Sequence, residues 1–243
     1  MKANRIGRGV LGLTLLLLLS ACGGRPDLDT LRKQYDAYPE YSIILQDMRV
    51  DGTFFQDYFH RYKVVYREAG GDSENPVFRE EVTDWLQVSQ EEYEKYDAFL
   101  GMTVLAKTED GTTSDTPAPP GYRYVGDERY GRWRTDSSGN SFWEFYGKFA
   151  LMQSLFNMGM GGPVYRGDYD DYRRYRGSGR PFFGGRNQYG TGGEVTKRTN
   201  PNFFERRQAK EARRRASFQD KVKSRARRSN MSGTRSRSGG FGK

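Results

Sequence analysis

Tyr41-Ser-Ile-Ile-Leu-Gln-Asp-Met-Arg-Val50 and Phe54-Phe-Gln-Asp-Tyr-Phe-His-Arg-Tyr-Lys-Val-Val-Tyr-Arg-Glu68 are two runs rich in β-branched and aromatic residues, with Asp51-Gly52 between them. Such residues suit a pleated, half-buried surface. Asp-Gly supplies the positive φ of a tight turn, so the stretch predicts a β-hairpin. In the second strand Tyr58, His60, Tyr62, Val64 and Tyr66 share one face by period two.

Working outward, Leu28 to Tyr38 reads as a short amphipathic helix that Pro39 ends. A third strand is expected over Val77–Val88, with Val82, Leu86 and Val88 alternating with polar partners. Ser89 and Glu92 form a capping box ahead of Tyr93, Tyr96 and Leu100 at helical spacing. Met102–Lys107, Tyr122–Val125, Tyr130–Thr135 and Asn140–Trp143 are read as further strands, the last two around the turn Asp136–Gly139. Ser141 and Glu144 offer a second capping box, and Phe145, Phe149, Met152 and Phe156 give the following helix an apolar stripe. Gly159 to Gly162 stops it. Hairpin-paired strands with helices interspersed predict an α+β domain, with a small mixed or antiparallel sheet and a few helices, over residues 40–158.

Charge divides the chain at the same place. Arg25 to Met158 holds fifteen Lys/Arg against twenty-four Asp/Glu, whereas Gly159 to Lys243 holds twenty-two against seven. The tail is poor in aliphatics and is expected to be largely disordered. It divides into a Gly/Tyr/Arg-rich linker (159–199), one basic helix (200–228) and a Ser/Arg/Gly-rich terminus (229–243). Pro201 suits that helix's first turn, with Asn202 and Glu205 as its cap. Charge asymmetry of this size argues for an anionic partner, for docking of the tail on the body, or for both.

No enzyme signature emerges. His60 is the sole histidine and is read as packed among strand tyrosines. Glu91, Glu92, Glu94 and Asp97 read as the solvated face of a capped helix. Asp168, Asp170 and Asp171 offer oxygen ligands but lack an EF-hand's glycine and terminal glutamate, and Arg166, Arg173 and Arg174 stand beside them. Neither a cofactor nor a metal site is expected.

The amino end carries the clearest address. Lys2, Arg5 and Arg8 precede the apolar run Val10–Leu19, too short for a comfortable membrane span and ordered like a secretory signal. Leu19-Ser20-Ala21-Cys22 closes it, and Cys22 is the only cysteine, so no intramolecular disulfide can form. This ending resembles the lipobox of bacterial lipoproteins. The resemblance implies removal of 1–21, acylation of Cys22, and a short linker with the first helix over 22–39. Gly23 after the cysteine resembles the pattern for delivery to the outer membrane, on its periplasmic face. The close, Arg235-Ser-Arg-Ser-Gly-Gly-Phe-Gly-Lys243, resembles the endings of uncharacterised bacterial envelope lipoproteins, and no activity comes with it.

The expected function is therefore a non-enzymatic, membrane-anchored interaction or structural module. Its basic tail would meet an anionic lipid, lipopolysaccharide, a cell-wall polymer or an acidic protein. Arg206, Arg207, Arg213, Arg214, Arg215, Arg227 and Arg228 are the expected contacts. Arginine interleaved with aromatics also suits single-stranded nucleic acid, a use that export weighs against. An envelope-polymer hydrolase working through body carboxylates is the remaining alternative.

Overall fold

The computed structural model describes residues 28–52, 54–69, 76–156 and 158–234. The lipobox, Cys22 and the close from Arg235 lie outside the described residues. The predicted hairpin is the centre of the fold. β1 (Tyr41–Asp51) and β2 (Asp57–Arg67) pair antiparallel from Tyr41↔Tyr66 to Asp51↔Asp57. β3 (Phe78–Val82) and β4 (Leu86–Val88) both pair with β2, while β5 (Thr103–Lys107) pairs with β1 and with β6 (Thr113–Ser114). The order is β3-β2-β1-β5-β6, antiparallel throughout, with β4 also on β2. β7 (Gly131–Thr135) and β8 (Ser141–Phe145) form a separate hairpin whose turn is closed by the Asp136 carboxylate, which accepts from Ser138 N and Asn140 N. With helices α1 (Leu28–Tyr35), α2 (Gln90–Tyr96), α3 (Ala150–Leu155), α4 (Arg166–Gly177), α5 (Glu194–Thr199) and α6 (Pro201–Thr234), the chain is α+β.

Period two sends β1 and β2 side chains to both faces of the sheet, and both are covered. On one face Ile43, Leu45, Tyr62 and Val64 meet Leu28, Leu31 and Tyr35 of α1, Tyr96 of α2 and Phe203 of α6. On the other, Ile44 and Val65 join Met102, Tyr122, Tyr124, Phe149, Met152 and Phe156. Ser89 caps α2 as expected, accepting from Glu92 N at 3.0 Å.

Several expectations are corrected. The stretch 159–199 is not a disordered linker, because Val164, Tyr172, Phe182, Tyr189 and Val195 are buried in the second cluster. Aromatic rings bury about 150–250 Å² each, and these three supply much of the apolar area that the scarcity of aliphatics left uncovered. The body thus continues beyond Met158, through Phe203. Tyr122–Tyr124 is a turn of 3₁₀ helix, set up by Gly121 at φ 81°. The third strand is broken in two: Thr83 N donates to Tyr62 O and Thr83 Oγ1 accepts from Tyr62 N, and Val82 is exposed. Ser141 and Glu144 lie in β8 and cap nothing. The basic helix begins at Pro201 and runs to Thr234, past the expected end at 228, so Asn202 sits inside its first turn.

His60 sits opposite Met48 across the hairpin, fully buried. Its Nδ1 is 2.9 Å from Tyr62 Oη and its ring stacks on Tyr93 at 5.4 Å. Burial pushes its pKa from 6.5 down to about 4. The unfolded chain therefore binds the proton first, so stability holds above pH about 6.5 and is lost as pH falls toward 4, by roughly 3 kcal/mol in all. Burial also pushes Glu40 up, which acts with the opposite sign, so the difference from a variant carries the test. Urea unfolding between pH 7 and pH 4.5 should show a slope that His60→Leu flattens. An unchanged slope in the variant would remove His60 as its source.

Candidate anion-contact helix

β5 leaves β1 early. Its last bonds are Leu45 N to Met102 O at 3.0 Å and Gly101 N to Leu45 O at 2.7 Å, and a bulge follows between Leu45 and Asp47. From Gln46 onward that edge of β1 has no strand beside it, and α6 takes the place. Asn200 Nδ2 donates to Gln46 O, Arg206 Nη2 lies 3.5 Å from Met48 O, and Lys210 Nζ lies 3.4 Å from Val50 O. The last two are at the outer limit of a hydrogen bond. The spacing works because four strand residues advance about 13 Å and ten helical residues about 15 Å. The Met48 N–H is taken by the Asp47 carboxylate at 2.8 Å.

Asp47 is the electrostatic pin. It is 5% exposed and receives Arg206 at 2.5 Å, with Arg61 at 3.8 Å. Trp85 lies among these cations, with guanidinium carbons of Arg49, Arg61 and Arg206 at 4.5, 5.0 and 5.8 Å from its ring. Cations attracted to an indole face add modestly at partly exposed sites, about 0.5–1 kcal/mol each. Phe203 enters the core from the same first turn.

The predicted contact residues therefore divide. Arg206 is bound to the body. Arg207 is exposed and pairs with Glu211 at 3.7 Å, and Arg213, Arg214 and Arg215 are exposed along the helix. Arg227 and Arg228 belong to α6, and their side chains lie outside the described residues. Lys210, Arg49, Arg61 and Trp85 were not singled out from sequence. Asp47 midway along a strand whose first residues are mostly apolar was the available signal, since a buried carboxylate needs a cation.

The other candidates are dispersed. Asp170 and Asp171 pair with Arg166 and Arg174 on α4, at 3.7 and 2.6 Å. Among the described residues no three His, Cys, Asp or Glu side chains gather as a metal site. Buried Glu40 accepts from Tyr130 Oη at 3.2 Å and sits 3.6 Å from Arg67, which also holds Glu109 at 2.8 Å. Burial pushes Glu40 up, and Arg123, Arg67 and Tyr130 draw it back. The Glu40 and Glu109 carboxylates thus share the Arg67 guanidinium. Among the described residues no helix is long and apolar enough to cross a membrane.

No family model matches the chain, and no curated protein or solved structure matches it.

Removing Asp47 would take away both ion pairs and the acceptor of the buried Met48 N–H, whereas removing half-exposed Arg206 leaves Asp47 its contact with Arg61 and that N–H. Asp47→Ala should cost about 3 kcal/mol in chemical denaturation and Arg206→Ala about 1. The reverse order would show that the pin is not Asp47.

Proposed function

We propose that this is a non-enzymatic lipoprotein, held by lipid on Cys22 to the periplasmic face of the outer membrane. Its body serves as a mount for a basic helix that meets an anionic envelope component. The observation that carries the reading is the division of α6: its first turns are pinned to β1, and the side chains described from Glu211 to Ala226 are all exposed. Glu211–Thr234 spans about 36 Å and carries eight Lys/Arg against two Asp/Glu. A rigid rod of one sign attracts opposite charge at about 1 kcal/mol per cation near an anionic surface, in a salt-dependent way. Arg207, Arg213, Arg214, Arg215, Arg227 and Arg228 make contact in this reading, while Arg206 positions the helix.

The fold dictates where the chain can be cut. Ending it at Gly159 would remove Tyr172, Phe182, Tyr189, Val195 and Phe203 from the core. Ending it after Lys210 keeps them and keeps the β1 edge covered. That truncated chain should unfold at close to the wild-type temperature but lose binding to anionic vesicles and soluble polyphosphate. Wild-type binding should fade as salt rises to about 0.5 M, where the screening length falls to a few ångströms. Full binding by the truncated chain would reject the helix's role.

A further inference from the structure

The turn between β1 and β2 carries Phe54 and Phe55, 95% and 92% exposed, the barest large apolar residues described. Two adjacent phenyl rings in water at a hairpin tip have no stabilising role within the body. The tip is nonetheless shaped. Gly52 sits at φ 83°, and a Cβ there would fall 1.9 Å from the Phe55 carbonyl oxygen, so only glycine lets the chain fold back beneath the two rings. Cations line the approach: Arg49 and Arg61 lower on the hairpin, Arg206 and Lys210 along its edge. The acids near the tip are engaged, Asp51 with Arg49 at 3.3 Å and Asp57 with the Gln87 amide at 2.8 Å. The helix runs beside β1 toward the tip and continues past it, presenting Arg213, Arg214 and Arg215, and beyond them exposed Phe218 and Val222 one turn apart.

We infer that the Phe54–Phe55 tip inserts into an anionic lipid surface, with Lys210, Arg213, Arg214 and Arg215 meeting the headgroup phosphates. This rests on the membrane-side reading above and narrows its anionic partner to lipid. Apolar rings enter the acyl boundary while the flanking cations remain among phosphates, the division of labour of interfacial membrane binders. Because α6 is too charged to enter hydrocarbon, it lies along the surface, and the tip beside it makes the apolar contact.

The test uses the chain from Gly23 onward, which contains every described residue, with phosphatidylglycerol–phosphatidylcholine vesicles in one arm and soluble polyphosphate in the other. Phe54→Ser with Phe55→Ser should weaken vesicle binding roughly tenfold or more, since two ring burials are lost. Polyphosphate binding and the unfolding temperature should not move. A Phe55→Trp chain should show an added, blue-shifted emission on vesicles that lipid brominated in its acyl chains quenches. Equal vesicle affinity in the double variant, or no such quenching, overturns the inference. So does a wild-type chain that binds polyphosphate and ignores vesicles, an outcome that leaves the helix's anion contact standing. Loss of polyphosphate binding with the tip effect intact would instead sink the helix reading alone.

Discussion

An unpaired stretch of strand edge governs this structure. β1 is long because its hairpin partner is long, but β5 accompanies it only to Leu45. Backbone groups on an open edge invite pairing with other chains unless something covers them. Here the cover is a helix rather than a strand, reached through Asn200, Arg206 and Lys210 at intervals that match the strand's repeat. A bulge in the β1–β2 ladder lies between Leu45 and Asp47, at the head of this stretch. Just after it, the Asp47 carboxylate serves Arg61, Arg206 and the Met48 amide together.

The same constraint explains how far the sequence could be read. The hairpin was legible because Asp51-Gly52 and the period-two pattern of Tyr58 to Tyr66 agree with each other. The capped helix after Ser89 and the β7–β8 hairpin around Asp136 were legible for the same reason, local signals with nothing opposing them. The misread segments are those whose structure comes from distant partners. Tyr172, Phe182 and Tyr189 lie in a Gly/Arg background that looks like a linker, and only packing against Tyr122, in the cluster that holds Ile44 and Val65, makes them core. Thr83 breaks a plausible strand because Tyr62 supplies both its backbone and side-chain partners. Of the arginines singled out from composition, Arg206 is structural and adjacent Arg207 is not, a distinction that Asp47 makes and sequence order does not.

Opposite charges in the two halves of the chain now have separate uses. Part of the asymmetry is settled internally, through Asp47 and the first turns of α6. The rest is left on the exposed stretch of α6 beyond Lys210, whose own acids are Glu211 and Asp220. A basic segment tethered by a flexible linker would reach in every direction at an entropic cost on binding. A pinned helix has a fixed direction, and that direction runs beside the bare Phe54–Phe55 turn. Attraction and apolar contact are thereby held in one relative geometry by the β1 edge.

Amide hydrogen exchange probes the pinned edge most directly. If α6 seals β1, amides of Met48 to Val50 and of Phe203 to Lys210 should exchange as slowly as those of Ile43 and Val64. Amides beyond Glu211 should exchange far faster. Rapid exchange throughout α6, with the β1 edge still protected, would contradict the docking on which the helix's fixed presentation rests.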